Sequence, residues 1–477
     1  MSEPKRLHPI AAVHKVLKSI KELLLPLLLF FVFGSNETTF YFMVAGAMIV
    51  IVGITGIVSW LKYSYRLEQQ ELRIEYGLFV RKKRYIPFDR IQSLDLTSGI
   101  LHRMFNLVQV KVETAGGSAV GKEADAVLTA VTKQEAERIK SIIFAERSEV
   151  AEDLPDKSNV TTIYQITNKQ LLLLATTSGS VGVVLSAVMA FFFQFEEVIP
   201  YEEIFSGITV WVQGSVLLIT FTILFFFTLA WVASIILTYL RYANFTVKKE
   251  QEDIIITKGL IEKRQLTLPL VRIQSVRVVE NPIRQLLGLA AVYVDSAGST
   301  SNDMNDKALM LFPVIRKRAL KELVELGLPD YEVDPPLKGA PVHALKLQIL
   351  RSFLILLPFL AAGFYFFHKW GLVVLLIVPL LFTWRWFQYK DTGYHLSGNK
   401  QLTLRHRAIS RTTSFLLKNK IQAIEWNRGP IMRKWELVSV WGHVKSGSTK
   451  SIAKVNYITT QDAKQVYQWF RSQNEYK

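Results

Sequence analysis

Pro269-Leu270-Val271-Arg272-Ile273-Gln274-Ser275 has a counterpart at Pro87-Phe88-Asp89-Arg90-Ile91-Gln92-Ser93. A third version, Leu417-Lys418-Asn419-Lys420-Ile421-Gln422-Ala423, keeps the spacing and changes most residues. Outward from this heptad, the first two copies stay in register from Gly77 and Gly259 to Gly116 and Gly298, without a gap. Leu107 matches Leu289, Val110 matches Val292, and Val112 matches Val294. Leu437 and Val440 carry the register into the third copy. Self-similarity of this length marks an internal repeat, so one structural unit is built three times.

Each copy reads as several strands followed by a helix. Leu72-Arg73-Ile74, residues 254–257 and Leu402-Thr403-Leu404 are the first strands. Gly77 and Gly259 follow in copies one and two and suit a turn that needs positive φ. Basic strands come next, Arg81-Lys82-Lys83-Arg84-Tyr85-Ile86 and Lys263-Arg264-Gln265-Leu266. The prolines after them mark a strand end or a sheet edge. Residues 108–112 and 290–294 alternate with period two, which predicts half-buried strands. Closing helices are predicted over 133–144, 314–326 and 461–470; in the last, Val466, Trp469 and Phe470 share one face.

Before each copy stand two uncharged apolar runs: 23–33 and 40–61, 170–195 and 208–240, 352–367 and 371–384. A spanning helix needs about 20 such residues. The shorter runs reach that length only by extension, from near Lys15 with Lys18, Lys21 and Glu22 reaching toward the headgroups, and over Arg351 and Arg385; the alternative for each short pair is a re-entrant hairpin. The connections inside the pairs hold only Lys369 against Glu37, Glu196, Glu197, Glu202 and Glu203. Basic residues therefore concentrate elsewhere, which places both termini and all three repeat units in the cytoplasm. The N-terminal run reads as an uncleaved anchor.

Composition agrees. Half of the 477 residues are hydrophobic, only 20% are charged, and the net charge is +17. Such a chain is not disordered, and its basic balance fits an anionic membrane surface better than nucleic acid, because no recognition helix accompanies the charge. With no cysteine, disulfides, thiol catalysis and cysteine-held metals are excluded. The eight histidines are scattered, no phosphate loop or nucleophile elbow is present, and neither a metal nor a cofactor is expected.

The pattern Gly259, Leu260, Pro269, Arg272, Ile273, Gln274, Ser275, Gly288, Leu289, Ala297 and Gly298 resembles the bacterial PH domain of the second type. Three such units, each behind a membrane hairpin, are similar to the YdbT-like membrane proteins of Gram-positive bacteria. The first unit has Asn106 where the second has Gly288, and the third has Arg407, Leu417 and Glu436 at two glycine positions and the proline position. The resemblance implies membrane α-helical hairpins plus three cytoplasmic PH-like β-barrel or sandwich domains, each closed by a C-terminal helix. The expected division is an N-terminal segment and first hairpin over 1–61, domain 1 over 62–147, a linker over 148–169, the second hairpin over 170–240, domain 2 over 241–328, a linker over 329–348, the third hairpin over 349–387 and domain 3 over 388–477.

Candidate contacts to anionic headgroups or a protein partner are Arg81, Lys82, Lys83 and Arg84, with Lys258, Lys263 and Arg264 in the second unit. The alternative is a solvated strand edge guarded by lysine. Arg272 and Gln274 of the repeated heptad are candidates for a ligand or peptide, or else for a folding role that explains their recurrence. The expected function is a non-enzymatic scaffold in the bacterial cytoplasmic membrane. The resemblance implies assembly with a smaller membrane protein of the same family, in envelope maintenance or protection from membrane-active peptides. Recognition of anionic lipid is the alternative. A small-molecule transporter is disfavoured, because no ionisable group lies centrally in an apolar run.

Overall fold

A computed structural model describes residues 4–33, 38–114, 126–145, 160–177, 186, 216–296, 308–367, 377–445 and 451–472. The connections inside the apolar pairs, Gly116, Ala297, Gly298 and most of 170–215 lie outside the described residues. The first unit contributes β1 (Lys5–Arg6), β2 (Ser64–Glu68), β3 (Glu71–Tyr76), β4 (Lys82–Pro87), β5 (Ile91–Ser98), β6 (Leu107–Thr114) and β7 (Ala126–Thr132). The second contributes β8 (Val160–Gln165), β9 (Thr246–Glu250), β10 (Asp253–Lys258), β11 (Lys263–Pro269), β12 (Ile273–Glu280), β13 (Leu289–Ser296) and β14 (Leu309–Arg316). The third contributes β15 (Lys338–Gly339), β16 (Gly393–Ser397), β17 (Gln401–Arg407), β18 (Arg411–Leu417), β19 (Ile421–Asn427), β20 (Leu437–Val444) and β21 (Ser451–Thr459).

Within a unit, the first four strands form one antiparallel layer and the last three another. A short 3-10 turn joins them, at Phe88–Arg90, Leu270–Arg272 and Lys418–Lys420. The repeated heptad is this joint. Ile91 and Ile273 follow it into the cores, at 0% and 1% exposure, so their apolar character is a packing requirement. Each unit has a core, and that of the second takes in Phe415 and Leu417 of the third. Leu72, Leu94, Val110, Leu128 and Ile139 belong to the first, Phe245, Ile254, Val292 and Phe312 to the second, and Leu402, Val440, Val455 and Val466 to the third.

The first strand of every unit precedes the apolar helices. β1 pairs with β2, β8 with β9, and β15 with β16. This corrects the expected linkers: 148–169 contains β8, and 329–348 contains β15 and the start of helix Val342–Phe367. The helices thus enter as an insertion after the first strand. A two-residue strand such as Lys5–Arg6 carries no periodicity to betray it. The closing helices are Lys133–Ala145, Leu320–Gly327 and Thr460–Arg471. The second starts later than predicted, because Val314, Ile315 and Arg316 finish β14. Thr459 caps the third, accepting from Asp462 N at 3.1 Å, and Asp462 is itself held by Lys338 of β15 and the Tyr394 hydroxyl of β16.

Three stretches among the described residues are long and apolar enough to cross a bilayer: Met43–Leu61, Leu224–Tyr242 and Val342–Phe359. Helix Ile10–Phe33 lies against Thr38–Leu61, and Ile377–Lys390 against Val342–Phe367. Arg385 Nε donates across the latter pair to Ser352 Oγ at 2.5 Å.

The departures from the repeat at Asn106 and Glu436 keep its backbone. Both have φ of +53°, beside +65° at Gly288. A left-handed side-chain-bearing residue costs roughly 1–2 kcal/mol, so the third unit retains this turn at some expense. Gly77 and Gly259 are tighter, since an added Cβ would lie 2.0 Å from a backbone oxygen, of Val80 and Glu262 respectively.

Candidate functional site: the sheet edges

The layers of neighbouring units fuse. Strand β5 of the first unit pairs antiparallel with β11 of the second, giving the seven-stranded sheet β7-β6-β5-β11-β10-β9-β8. Strand β12 of the second unit pairs in the same way with β18 of the third. The units form a row, each joined to the next through one sheet edge. Among the described residues, β4 and β19 end their sheets.

Polar side chains fasten both junctions. At the first, Arg264 Nη2 lies 2.5 Å from Asp95 Oδ2, and that carboxylate is only 1% exposed. Lys140 of the first closing helix pairs with Glu250 of β9 at 3.1 Å. At the second junction, Arg411 pairs with Glu280, and Arg407 reaches Gln285. Arg411 also lies 3.2 Å from Asp391, which pairs with Arg407 at 2.5 Å. Burial opposes the Arg411 charge, yet Glu280 and Asp391 together hold its guanidinium above its ordinary pKa.

The heptad supplies a clasp used twice. Arg272 donates to the carbonyl of Asp89 in the preceding unit. Lys420 donates at 2.8 Å to the carbonyl of Val271 in the preceding unit. Donor and acceptor occupy the same repeat positions at both junctions. Gln274 stays within its own turn, its Nε2 3.1 Å from the Arg272 carbonyl.

The sequence-predicted basic residues fall into distinct settings. Arg81 and Lys83 both contact Glu75 of β3, and Lys82 and Arg84 stand exposed on β4. Lys258 sits over the Tyr242 ring at 5.1 Å, Lys263 is exposed, and Arg264 is committed to Asp95. The turns before these strands are tied to the ends of the apolar helices. Lys62 donates to the Leu78 carbonyl at 2.5 Å, Leu260 N to the Leu240 carbonyl at 3.0 Å, and Gln388 to the Ala408 carbonyl at 3.3 Å. Apolar side chains crown the turns, with Phe79 at 99% exposure, Val80 at 71% and Ile409 at 68%. A membrane around the helices would meet these tips first and the basic strand behind them next.

Asp95 and Glu280 carry the junctions and were not singled out from sequence. Their partners lie far along the chain, so no local motif announces them. Among the described residues, no group of three His, Asp or Glu could hold a metal ion.

His406 of β17 sits behind the second junction. Burial, then the charges of Lys454 and Arg277, push its imidazole down to about 4. The unfolded chain takes that proton near the ordinary value of 6.5, so folding stability should fall as pH drops from about 6.5 toward 4. Thermal unfolding of His406→Gln across this range should show a shallower acid loss than the parent chain. Parallel curves would remove His406 as the cause.

The family model for the bacterial PH domain matches three times, over residues 22–147, 183–325 and 349–474. The chain belongs to the bacterial PH domain family. Each match begins within an apolar segment and runs on to the closing helix, so β1, β8 and β15 lie outside the matched ranges. The chain is 35% identical to UPF0699 transmembrane protein YdbT of Bacillus subtilis, with 98% of each covered. It is also 34% identical, over 14% of its length and 42% of the relative's, to UPF0699 transmembrane protein YdbS of the same bacterium. No solved structure matches. The protein is thus a transmembrane protein carrying three bacterial PH units.

Proposed function

We propose that the protein is a non-enzymatic scaffold of the bacterial cytoplasmic membrane, holding a row of PH units against the inner surface and assembling there with another membrane protein. Six helices in three hairpins anchor it, with both termini and all units cytoplasmic. The observation that carries this reading is the repeated junction, because PH units of this chain already recognise one another edge to edge and two matching edges remain at the ends of the row. A smaller membrane protein of the same family is the partner class, supported by the partial match to YdbS. Protection of the envelope from membrane-active peptides is the physiological setting we assign. Mild-detergent purification of the tagged full-length chain should recover a stoichiometric membrane protein containing a PH unit. Recovery of the chain alone, with neither protein nor lipid, would refute the scaffold.

Recognition of anionic lipid is a second reading, favoured by the turns that bring Arg81, Lys82, Lys83 and Arg84 beside the helix ends. Replacing these four with alanine should then lower retention of anionic lipid. Unchanged lipid retention would sink this reading.

A further inference from the structure

We propose that the open edge of β4 in one copy pairs with the open edge of β19 in a second copy, so that the row of PH units continues from chain to chain. The proposal rests on the scaffold reading in one respect, that PH units join through sheet edges.

Both internal junctions share one register. Leu266 lies opposite Asp95 in the first, and Ser414 opposite Arg277 in the second. Leu266 and Ser414 each stand three residues before the strand ends at Pro269 and Leu417, while Asp95 and Arg277 each stand four residues after Ile91 and Ile273. Carried to the open ends, the same register sets Arg84 opposite Glu425, Lys82 opposite Asn427 and Tyr85 opposite Ile424.

Charge and exposure agree with that pairing. Glu425 presents its carboxylate at 52% exposure beside His443 and would face Arg84, with Lys82 as its diagonal neighbour. Arg81 and Arg428 would meet just beyond the two strands, where Arg81 already contacts Glu75. Tyr85 is 52% exposed, whereas Thr267 and Phe415 at the same repeat position are at 0% and 2%. Trp426 is 40% exposed, against 7% and 4% for its counterparts Leu96 and Val278. The open edges therefore show the side chains that the internal junctions cover. Arg90 stands exposed at the clasp position of Arg272 and Lys420, and the carbonyl it would reach is that of Asn419 in the neighbouring copy.

The membrane permits this join. β4 begins at the turn tied to the helix end by Lys62. β5, the counterpart of β19, runs toward helix Ile100–Met104, where Arg103 meets the Leu260 turn at 2.9 Å. Antiparallel pairing of β4 with β19 therefore leaves the apolar helices of both copies on one side. Such a contact is head-to-tail, and it yields a ring or an open filament according to the rotation per unit.

The absence of cysteine makes the test direct. One tagged full-length copy carries Arg84→Cys and a second, differently tagged, carries Glu425→Cys. Directly opposed strand residues lie about 4.5–5.5 Å apart, within disulfide reach. Mild oxidation in membranes should link the two tags, and neither variant alone should link to itself. A chain with Val279→Cys and Thr412→Cys, which face each other inside the second junction, reports that oxidation and folding succeeded. Arg90→Ala should reduce the mixed link at least several-fold without altering that internal disulfide. Absence of the mixed link while the internal disulfide forms overturns the proposal. If a one-unit PH protein then co-purifies and is lost from Lys82→Glu/Arg84→Glu, that protein occupies the edge, and the scaffold reading stands without the second copy.

Discussion

Arg264→Ala should cost about 3–5 kcal/mol of folding stability and open the first junction, since it leaves a buried carboxylate without its cation. Asp95 is 1% exposed, and Arg264 approaches it through two nitrogens, Nε at 2.7 Å and Nη2 at 2.5 Å. Thr97 Oγ1, at 3.4 Å from the same carboxylate, is too distant and too weak a donor to compensate. Denaturant unfolding in detergent measures the loss. Removing both partners, with Asp95→Leu and Arg264→Leu, should recover much of it, because no charge is then stranded. A single variant within about 1 kcal/mol of the parent would show that the Arg264–Asp95 pair adds little to the strand pairing, the Lys140–Glu250 pair and the Arg272 clasp. Proteolysis should separate the outcomes further. The core of the first unit holds residues from Leu7 to Ile143 and does not draw on the second, so Arg264→Ala should expose β5 and β11 before it unfolds either unit.

The repeat was legible because three copies lie in one chain, and each marks the others. Gly77 and Gly259 could be placed at turns, and the period-two runs around Val110 and Val292 at half-buried strands, since both inferences depend on neighbours in sequence. The junctions depend on residues far apart: Arg264 and Asp95 are separated by 169 positions. A sheet edge that receives another strand looks, in sequence, like one that faces water. The basic run of β4 and the mixed run of β11 illustrate this, for both were read as surface, yet β11 lies at the middle of a seven-stranded sheet. The late start of the second closing helix has a related cause. Leu311, Phe312, Val314 and Ile315 are all buried, and a short apolar run covered on both sides has no period to distinguish strand from helix. β1, β8 and β15 were missed for a different reason, since they lie across an entire pair of apolar helices from the sheets they join.

The same physical argument predicts the strongest coupling between membrane and sheet, at Asp391. This residue follows helix Ile377–Lys390 directly and accepts from Arg407 Nε at 2.5 Å and Arg411 Nη1 at 3.2 Å. Its backbone carbonyl accepts from Arg405 Nε at 3.0 Å, so three arginines of β17 and β18 converge on the helix end. Arg411 passes the contact to Glu280 of the second unit. Asp391→Ala should cost about 3–5 kcal/mol, because the Arg407 side chain, 3% exposed, loses its carboxylate while Arg411 keeps Glu280. Hydrogen exchange should then rise in β12 and β18 and stay unchanged in β5 and β11. An equal rise at both junctions would mean that the variant destabilises the whole row. A selective rise would establish that the third helix pair sets the second junction through one carboxylate, and hence that a shift of those helices in the bilayer can be felt in the row of PH units.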